Sequence, residues 1–132
     1  MRELVVVAPD RTGVLADITA RLGAAGVNIL SIAVQGLHGE GIANLEVNDE
    51  EATVRALQEA GYHVTLEECL LVALADHPGE LARITNRLRD ANVNIRSAHI
   101  LDRRGDQAIA VLTVDDPPRA REAIANVLIG KS

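Results

Sequence analysis

The stretch that decides the fold covers residues 10–31 and reads DRTGVLADITARLGAAGVNILS. A second copy covers residues 76–97, 66 residues further on, and reads DHPGELARITNRLRDANVNIRS. Thirteen of the 22 positions are identical, which is far more than chance produces. Because solenoid repeats have periods of roughly 20–50 residues, each copy is better explained as a small domain. The sequence therefore predicts a tandem duplication, with domain 1 at residues 1–67 and domain 2 at residues 68–132.

Composition narrows the class of protein. Of the 132 residues, 48% are hydrophobic but only 1% are aromatic, so both cores must consist of aliphatic side chains. The net charge of −6 and the shortage of aromatic rings for base stacking argue against nucleic acid as a partner. A single cysteine, Cys69, excludes an internal disulfide and fits a reducing compartment. No signal-peptide pattern or membrane-length apolar run is present, so we expect a soluble cytoplasmic protein without membrane contact.

Hydrophobic periodicity predicts the same order of elements in both copies. Apolar residues at helical spacing predict an amphipathic helix of about three turns, with its buried face at Leu15, Ile18, Leu22 and Ala25 and at the matching Leu81, Ile84, Leu88 and Ala91. Second helices are predicted at residues 50–60 and 118–128, the latter ending at Gly130. The strands are predicted at residues 4–8, 27–34, 42–47, 62–66, 70–74, 93–100 and 109–114.

Local signals mark the ends of these elements. Pro78 suits a first helical position, and Gly26 and Asn92 occupy matching places where a left-handed cap is expected. Beyond residue 41 the two copies align best at an offset of 67. The polar hairpin turns are predicted at residues 36–41 and 102–107, and the change of offset predicts one extra residue in the second hairpin loop.

The order β-α-β-β-α-β predicts an α+β protein with two ferredoxin-like modules, each an antiparallel sheet with its helices on one face. Right-handed crossovers place the first and third strands at the centre of the sheet. The second module lacks the last strand, which leaves its first strand, residues 70–74, open on one side. Such an edge favours pairing with another chain or with the strand that begins at Tyr62, and we expect a homo-oligomer.

The chain shows no recognisable catalytic apparatus. It has no Cys-x-x-Cys motif, no glycine-rich phosphate loop and no Ser-His-Asp constellation. Its histidines, residues 38, 63, 77 and 99, follow no repeated ligand spacing and are interpreted as surface or loop residues. We predict that the protein is not an enzyme and that it uses neither a metal nor a cofactor.

The polar residues shared by both copies lie around the first helix of each. Asp10 and Asp76 come just before it, Gly13 and Gly79 in its first turn, and Asn28 and Asn94 at the start of the next strand. In a βαβ unit these asparagines lie at the opposite end from the helix start. A site that combines Asp10 with Asn28 is therefore easier to build where two copies meet about a pseudo-twofold axis.

The pattern strand, Asp-x-x-Gly-x-Leu, helix, Val-Asn-Ile, strand resembles the ACT domain, a regulatory amino-acid-binding module, over residues 1 to about 129. In ligand-binding members the residues that correspond to Asp10, Gly13 and Asn28 line an interface site, and several members have Asn in place of the Asp. The resemblance implies a ligand-binding set in each copy: Asp10, Arg11, Gly13, Val14 and Asn28, and Asp76, His77, Gly79, Glu80 and Asn94.

Each shared residue has a possible ligand role. The helix start near Gly13 or Gly79 suits an α-carboxylate, and the missing Cβ permits close approach. Asp10 or Asp76 suits an α-ammonium group, and the Asn28 or Asn94 amide can bond to either group.

Each of these residues also has a purely structural alternative. The Asp residues can cap the helix, the Gly residues can permit tight helix-sheet packing, and the Asn residues can close a turn. Arg21 and Arg87 are interpreted as part of a solvated helix face.

Three classes of function remain open. The leading hypothesis is a stand-alone regulatory protein that binds a small amino acid or related metabolite and changes conformation or assembly toward an unidentified effector protein. The alternative is an interaction or oligomerisation module that binds no ligand, such as a regulatory subunit or accessory factor. A third is a small hydrolase similar to acylphosphatases, with Arg11 as its anion-binding arginine, although His77 replaces it in the second copy.

Overall fold

The computed structural model describes residues 2–129 of the chain. It contains two compact units, one from Arg2 to Glu67 and one that begins at Glu68, which we call the first and second modules. Each module has its own core, built from aliphatic side chains as the composition predicts. The two cores consist of Leu4, Val6, Ala8, Val14, Ile18, Leu22, Val27, Ala43, Leu45, Val47 and Leu57, and of Leu70, Val72, Leu74, Ile84, Leu88, Val93, Ala110, Leu112, Val114, Ala120 and Ile124.

The order of elements agrees with the sequence prediction. The first module contains β1 (Arg2–Pro9), α1 (Val14–Ala24), β2 (Ile29–Leu37), β3 (Glu40–Val47), α2 (Glu50–Glu59) and β4 (His63–Glu68). The second module contains β5 (Leu70–Ala75), α3 (Glu80–Asp90), β6 (Ile95–Arg104), β7 (Gln107–Val114) and α4 (Pro117–Ala123), followed by a 3₁₀ turn at Ala125–Val127. Among the described residues, no helix is long and apolar enough to cross a membrane.

The first module has a four-stranded sheet in the order β2-β3-β1-β4. β1 and β3 therefore occupy the centre, as predicted from right-handed crossovers. Their pairing is antiparallel and places Leu4 opposite Leu45 and Val6 opposite Ala43, all four of which are buried. Strand β2 forms one edge of this sheet, and most of its side chains are exposed.

The second module has a three-stranded sheet in the order β5-β7-β6, so β5 lies at an edge as predicted. The chain after α4 returns to this edge: Leu128 forms an isolated antiparallel bridge with Val72, and the Ile129 N–H donates to Leu71 O over 2.9 Å. The predicted helix to residue 128 is therefore wrong, since α4 ends at Ala123. Ile124 is buried, and the residues that follow it cover part of the β5 edge. The predicted helix end at Gly130 lies outside the described residues.

Glycine, rather than aspartate or proline, caps the first helix of each module, one position before the first turn in which the sequence places it. Gly13 and Gly79 are the N-cap residues and have left-handed backbones, with φ of 92° and 89°. Pro78 lies outside α3, so its predicted place in the first turn is wrong. At the other helix end, Gly26 and Asn92 have φ of 74° and 61° and form the left-handed caps that the sequence predicts.

The buried faces of α1 and α3 are shorter than predicted at both ends. Ala25 and Ala91 are the C-cap residues that follow the helices, and Ala25 is exposed while Ala91 is half-buried. Ile18, Leu22, Ile84 and Leu88 are buried as expected, but Leu15 and Leu81 are 43% and 41% exposed. Both leucines lie in the first turn, beside the loop that precedes the helix. The two exposed side chains therefore belong to the surroundings of the candidate sites and not to the cores.

The hairpins correct the predicted position of the extra residue. Both turns contain two residues, His38 with Gly39 and Gly105 with Asp106, so the second loop is not longer. The additional residue lies within β6, where the pairing with β7 shifts register between Ile100 and Asp102. A β-bulge of this kind leaves one residue unpaired and changes which side chains follow on each face.

Candidate functional site

The start of α1 and the neighbouring strands enclose a small cavity in the first module. Its volume is about 90 Å³, below the several hundred Å³ of a typical ligand pocket. Its floor is aliphatic, and Asp10 and Arg11 supply its charged groups. The lining residues are Val6, Ala8, Pro9, Asp10, Arg11, Val14, Leu15, Ile18, Val34, Gly41, Ile42 and Ala43. Three of the five predicted residues of this copy, Asp10, Arg11 and Val14, thus come together, with Gly13 between them in the chain.

The loop before each helix is attached to the neighbouring hairpin turn. The Asp10 N–H donates to Gly39 O over 3.0 Å, and the Asp76 N–H donates to Asp106 O over 2.7 Å. The side chains of Asp10 and Asp76 do not bond to the amides of the following helices, since neither helix has a side-chain cap. The capping alternative is therefore wrong for both aspartates. The side-chain caps form instead at α2 and α4, where Asp49 and Asp116 accept from Ala52 N–H and Arg119 N–H.

The Asp10 carboxylate lies directly against Gly36 of β2. A Cβ atom at Gly36 would come within 2.3 Å of Asp10 Oδ2, so this approach requires glycine. Asp10 is exposed, and within residues 2–129 no side chain forms an ion pair or hydrogen bond with its carboxylate. The first module therefore presents a negative charge at the rim of an aliphatic cavity.

The identical aspartate of the second module has a different environment. Arg103 Nε donates to Asp76 Oδ2 over 3.1 Å, which forms an ion pair between β6 and the loop before α3. The two side chains are 63% and 36% exposed. Asp76 thus has a positively charged neighbour where Asp10 faces a glycine.

The other predicted residues of the second copy also form local contacts. Glu80 takes the place of the buried Val14, and its carboxylate lies 3.8 Å from Arg83 Nη1 and 3.9 Å from His77 Nδ1. His77 replaces Arg11 and is exposed. The first residue of α3 is therefore charged where that of α1 is apolar and buried, although the loops before both helices begin with Asp and end with Gly.

Gly13 and Gly79 owe their identity to backbone conformation. A Cβ atom at either position would meet nothing within 4 Å, so close helix-sheet packing does not require glycine there. Their positive φ requires glycine, because other L-amino acids rarely adopt this backbone region. The Val14 N–H donates to Arg11 O over 3.3 Å, so this amide is already used within the loop.

Asn28 and Asn94 lie away from these loops, at the other end of α1 and α3. The Asn28 N–H donates to Asn48 Oδ1 over 2.8 Å, and the Asn94 N–H donates to Asp115 Oδ1 over 2.9 Å. The turn is thus closed by side chains of Asn48 and Asp115, and not by those of Asn28 and Asn94 as the structural alternative supposed. Asn28 does not line the cavity beside Asp10, and its participation in a site formed with another copy stays a prediction.

Asn94 borders a separate open groove of about 500 Å³ together with Asn92 and Asp115. The groove is polar and lies at the opposite end of α3 from Asp76.

Arg21 and Arg87 lie on the outer faces of their helices, where Arg21 pairs with Asp17 and Arg87 donates to Asn126 Oδ1 over 2.7 Å.

A polar cluster lies on α1 one turn beyond the loop. Arg21 Nε donates to Asp17 Oδ2 over 2.9 Å, and the Tyr62 hydroxyl donates to the same oxygen. These hydrogen bonds, first that of Tyr62 and then that of Arg21, lower the pKa of Asp17, and Arg11 adds a smaller favourable charge. Asp17 is therefore an already compensated anion, in contrast to Asp10.

Sequence reasoning missed Gly36 and Arg103, the two residues that distinguish the sites. A signal was present, because the offset between the copies changes from 66 to 67 between the first helix and the third strand. We expected the extra residue in the hairpin loop, whereas the structure places it in β6.

Within residues 2–129, no three His, Cys, Asp or Glu side chains form a group that could hold a metal ion.

Comparison with known proteins now assigns the family. The family model described as the ACT domain matches residues 2–61 and again residues 70–128, which together make up most of the chain. The chain belongs to the ACT domain family. ACT domains are regulatory modules, so membership supports a regulatory, amino-acid-binding role for this tandem ACT protein.

Solved structures agree with the tandem ACT architecture. A protein from Bacteroides thetaiotaomicron has a TM-score of 0.79 at 18% identity, and the match covers 97% of this chain and 90% of that one. The ligand-free regulatory subunit of aspartate kinase from Thermus thermophilus has a TM-score of 0.64 at 17% identity, with coverages of 95% and 91%. The corresponding subunit from Thermus flavus has a TM-score of 0.65 at 16% identity, with coverages of 95% and 90%. At these identities the likeness concerns the fold alone. Among the curated proteins, none matches this chain.

Proposed function

We propose that this tandem ACT protein is a regulatory binding protein for a small amino acid or a closely related metabolite. The observation that carries the proposal is the exposed Asp10 carboxylate at the rim of an aliphatic cavity, without an ionic partner in the described chain. A carboxylate in this setting suits an α-ammonium group, and the cavity suits a short aliphatic side chain. Arg11 lines the same cavity and carries the charge that an α-carboxylate requires.

Family membership and the structural neighbours support a regulatory output. The neighbours from the two Thermus species are regulatory subunits of aspartate kinase, which act together with an enzyme. We propose a non-enzymatic role in the cytoplasm, in which ligand binding changes the conformation or assembly of the protein and an effector protein responds. Binding to one conformation shifts the population toward it by the difference in affinity between the two states.

A thermal-shift screen against the proteinogenic amino acids tests the proposal. A true ligand at a hundredfold excess over its dissociation constant stabilises the folded protein by about 2.7 kcal/mol. The Asp10→Asn variant should lose this stabilisation, because the amide cannot neutralise an ammonium group. Asp90→Asn is the matched control, since Asp90 is an exposed carboxylate on the surface of α3 that pairs with neighbouring Arg89. Unchanged melting curves with every amino acid, confirmed by calorimetry, would reject the proposal.

A specific feature also favours the second candidate, an assembly module without a ligand. Strand β2 is an edge strand with several large apolar side chains that are about half exposed, namely Leu30, Ile32, Val34 and Leu37. An exposed apolar edge strand is a template for pairing with a further chain, including a second copy.

Sedimentation velocity without added ligand tests this candidate. If β2 mediates self-association, Ile32→Lys and Leu37→Lys should each shift the protein toward the monomer, with Leu66→Lys as a control because Leu66 is equally exposed on β4. A monomeric wild-type protein over the micromolar range would rule out homo-oligomerisation through this edge.

A further inference from the structure

The two halves of the duplication place different residues at one structural position beside the aspartate that both copies share. In the first module Gly36 pairs with Gly41, which in turn pairs with Ala8 of β1. In the second module Arg103 pairs with Ala108, which in turn pairs with Leu74 of β5. Ala8 and Leu74 are matching residues of the repeat, so Arg103 is the structural counterpart of Gly36.

The β-bulge in β6 creates this correspondence. By the offset of the first helices, the counterpart of Gly36 would be Asp102. The register shift between Ile100 and Asp102 moves the following residues on by one, so Arg103 comes to the position that faces the loop. A bulge re-aims the side chains that follow it, and here it directs a guanidinium group toward Asp76.

We propose that Arg103 is a built-in positive charge that closes the second module to amines, so that a ligand with an ammonium group binds beside Asp10 in the first module and not beside Asp76. The inference rests on the proposed function for the identity of the ligand. The different surroundings of the two carboxylates do not depend on which ligand binds. The Asp10 carboxylate occupies the space beside Gly36, where a Cβ atom would come within 2.3 Å of Oδ2, whereas Asp76 accepts a hydrogen bond of 3.1 Å from Arg103.

The surrounding contacts agree with a closed second site. Asp102 accepts from the Arg103 N–H over 2.8 Å and from Arg104 Nε over 2.8 Å, so the adjacent arginine is held by its own carboxylate. These bonds, first that of Arg104 and then that of the Arg103 N–H, lower the pKa of Asp102 and keep it ionised. The Arg103 guanidinium therefore remains available for Asp76.

Carbodiimide labelling with glycinamide tests the closure without a known ligand. The reagent forms an amide at accessible carboxylates, and mass spectrometry of peptides gives separate rates for Asp10 and Asp76. We expect Asp10 to react several times faster in the wild type, and Arg103→Gly to raise the Asp76 rate toward that of Asp10. Arg103→Gln removes the charge while keeping a long side chain, and it supplies the same test if the glycine variant folds poorly. Equal rates in the wild type, or an Asp76 rate that neither variant changes, would overturn the inference.

Calorimetry with the amino acid found in the thermal-shift screen tests the binding consequence. We expect one site per chain, a loss of at least tenfold in affinity for Asp10→Asn and a change of less than twofold for Asp76→Asn. A stoichiometry of two, or equal losses in the two variants, would contradict the inference while leaving the proposed function in place. If no amino acid binds the wild type, the proposed function fails and the assignment of a ligand to Asp10 fails with it, whereas the labelling result still decides whether Arg103 closes Asp76.

Discussion

The Tyr62 hydroxyl donates a hydrogen bond of 2.5 Å to Asp17 Oδ2 and so connects the residue before β4 to helix α1. The ring of Tyr62 packs against the first core, while its hydroxyl reaches the polar surface of α1. The bond lowers the pKa of Asp17 from its ordinary 3.8 and, together with desolvation, raises the pKa of Tyr62 from its ordinary 10.0. One contact therefore makes the stability of the first module depend on pH at both ends of the range.

The signs of the two contributions follow from linkage. Because the folded pKa of Asp17 is lowered, its contribution is complete above the unfolded pKa and is lost as the pH falls through the folded pKa. Because the folded pKa of Tyr62 is raised, its contribution is complete below the unfolded pKa and is lost as the pH rises through the folded pKa. We expect Tyr62→Phe to reduce stability near neutral pH and to converge with the wild type at acidic and strongly alkaline pH. Urea unfolding as a function of pH measures this, and a stability difference that is constant across pH would refute the linkage.

The duplicated core predicts matched losses of stability. Leu22 and Leu88 are fully buried counterparts in α1 and α3, so Leu22→Ala and Leu88→Ala should each cost about 2–5 kcal/mol through lost burial and the cavity that remains. Leu81→Ala is the control, because Leu81 is 41% exposed and should cost about 1 kcal/mol or less. Urea unfolding measures the free energy of unfolding of each variant and of the wild type. A Leu81→Ala loss as large as that of Leu88→Ala would contradict the assignment of the buried helix face.

Replacing Gly13 and replacing Gly23 by alanine should change the free energy of unfolding in opposite directions, because only Gly13 has a left-handed backbone. Gly13→Ala should cost about 1–2 kcal/mol, because alanine must adopt the φ of 92° that the N-cap requires, and Gly79→Ala should behave alike. Gly23→Ala is the control, because Gly23 is an exposed residue within α1 and a Cβ atom there meets nothing within 4 Å. It should stabilise by about 0.5–1 kcal/mol. Thermal unfolding of the three variants decides, and a stabilising Gly13→Ala would disprove the backbone requirement.

Asn28, just before β2, and Asn48, just after β3, should differ in their contribution to stability. Asn48→Ala should cost about 1 kcal/mol, because its side chain accepts the hydrogen bond from the Asn28 N–H. Asn28→Ala should change stability by less than about 0.5 kcal/mol, since the Asn28 side chain has no hydrogen-bond partner in residues 2–129 and its backbone bonds remain. Chemical denaturation tests both. A loss for Asn28→Ala equal to that for Asn48→Ala would show that the Asn28 side chain has a structural role.

Much of the fold follows from local patterns in the chain. Alternating and helical periodicities give the element order, and the crossover rule puts β1 and β3 at the centre of the first sheet. Gly26 and Asn92 end their helices as predicted, because a left-handed residue is a local requirement. The predicted helix over residues 118–128 is too long, because burial of Ile124 and the open edge of β5 determine the path of the chain after Ala123.

The candidate site could be predicted only in part. Asp10, Arg11 and Val14 are neighbours in sequence, so their common location beside one cavity follows from a single loop. Gly36 could not be placed with them, because strand pairing brings residues together that are far apart in the chain. The position of Arg103 depends in addition on where a sheet accommodates one extra residue, which the pairing of β6 with β7 decides.

The sequence by itself determined that the chain is a duplicated ACT-type fold with an identical Asp, Gly and Asn in each copy, because these features depend on local periodicity and on repetition along the chain. Only the tertiary structure decided what each identical residue does. Asp10 and Asp76 have the same local sequence role, but one faces the bare backbone of Gly36 and the other a guanidinium group. The physical reason is that the charge environment of a carboxylate depends on residues brought to it by strand register, and a one-residue bulge is enough to change it.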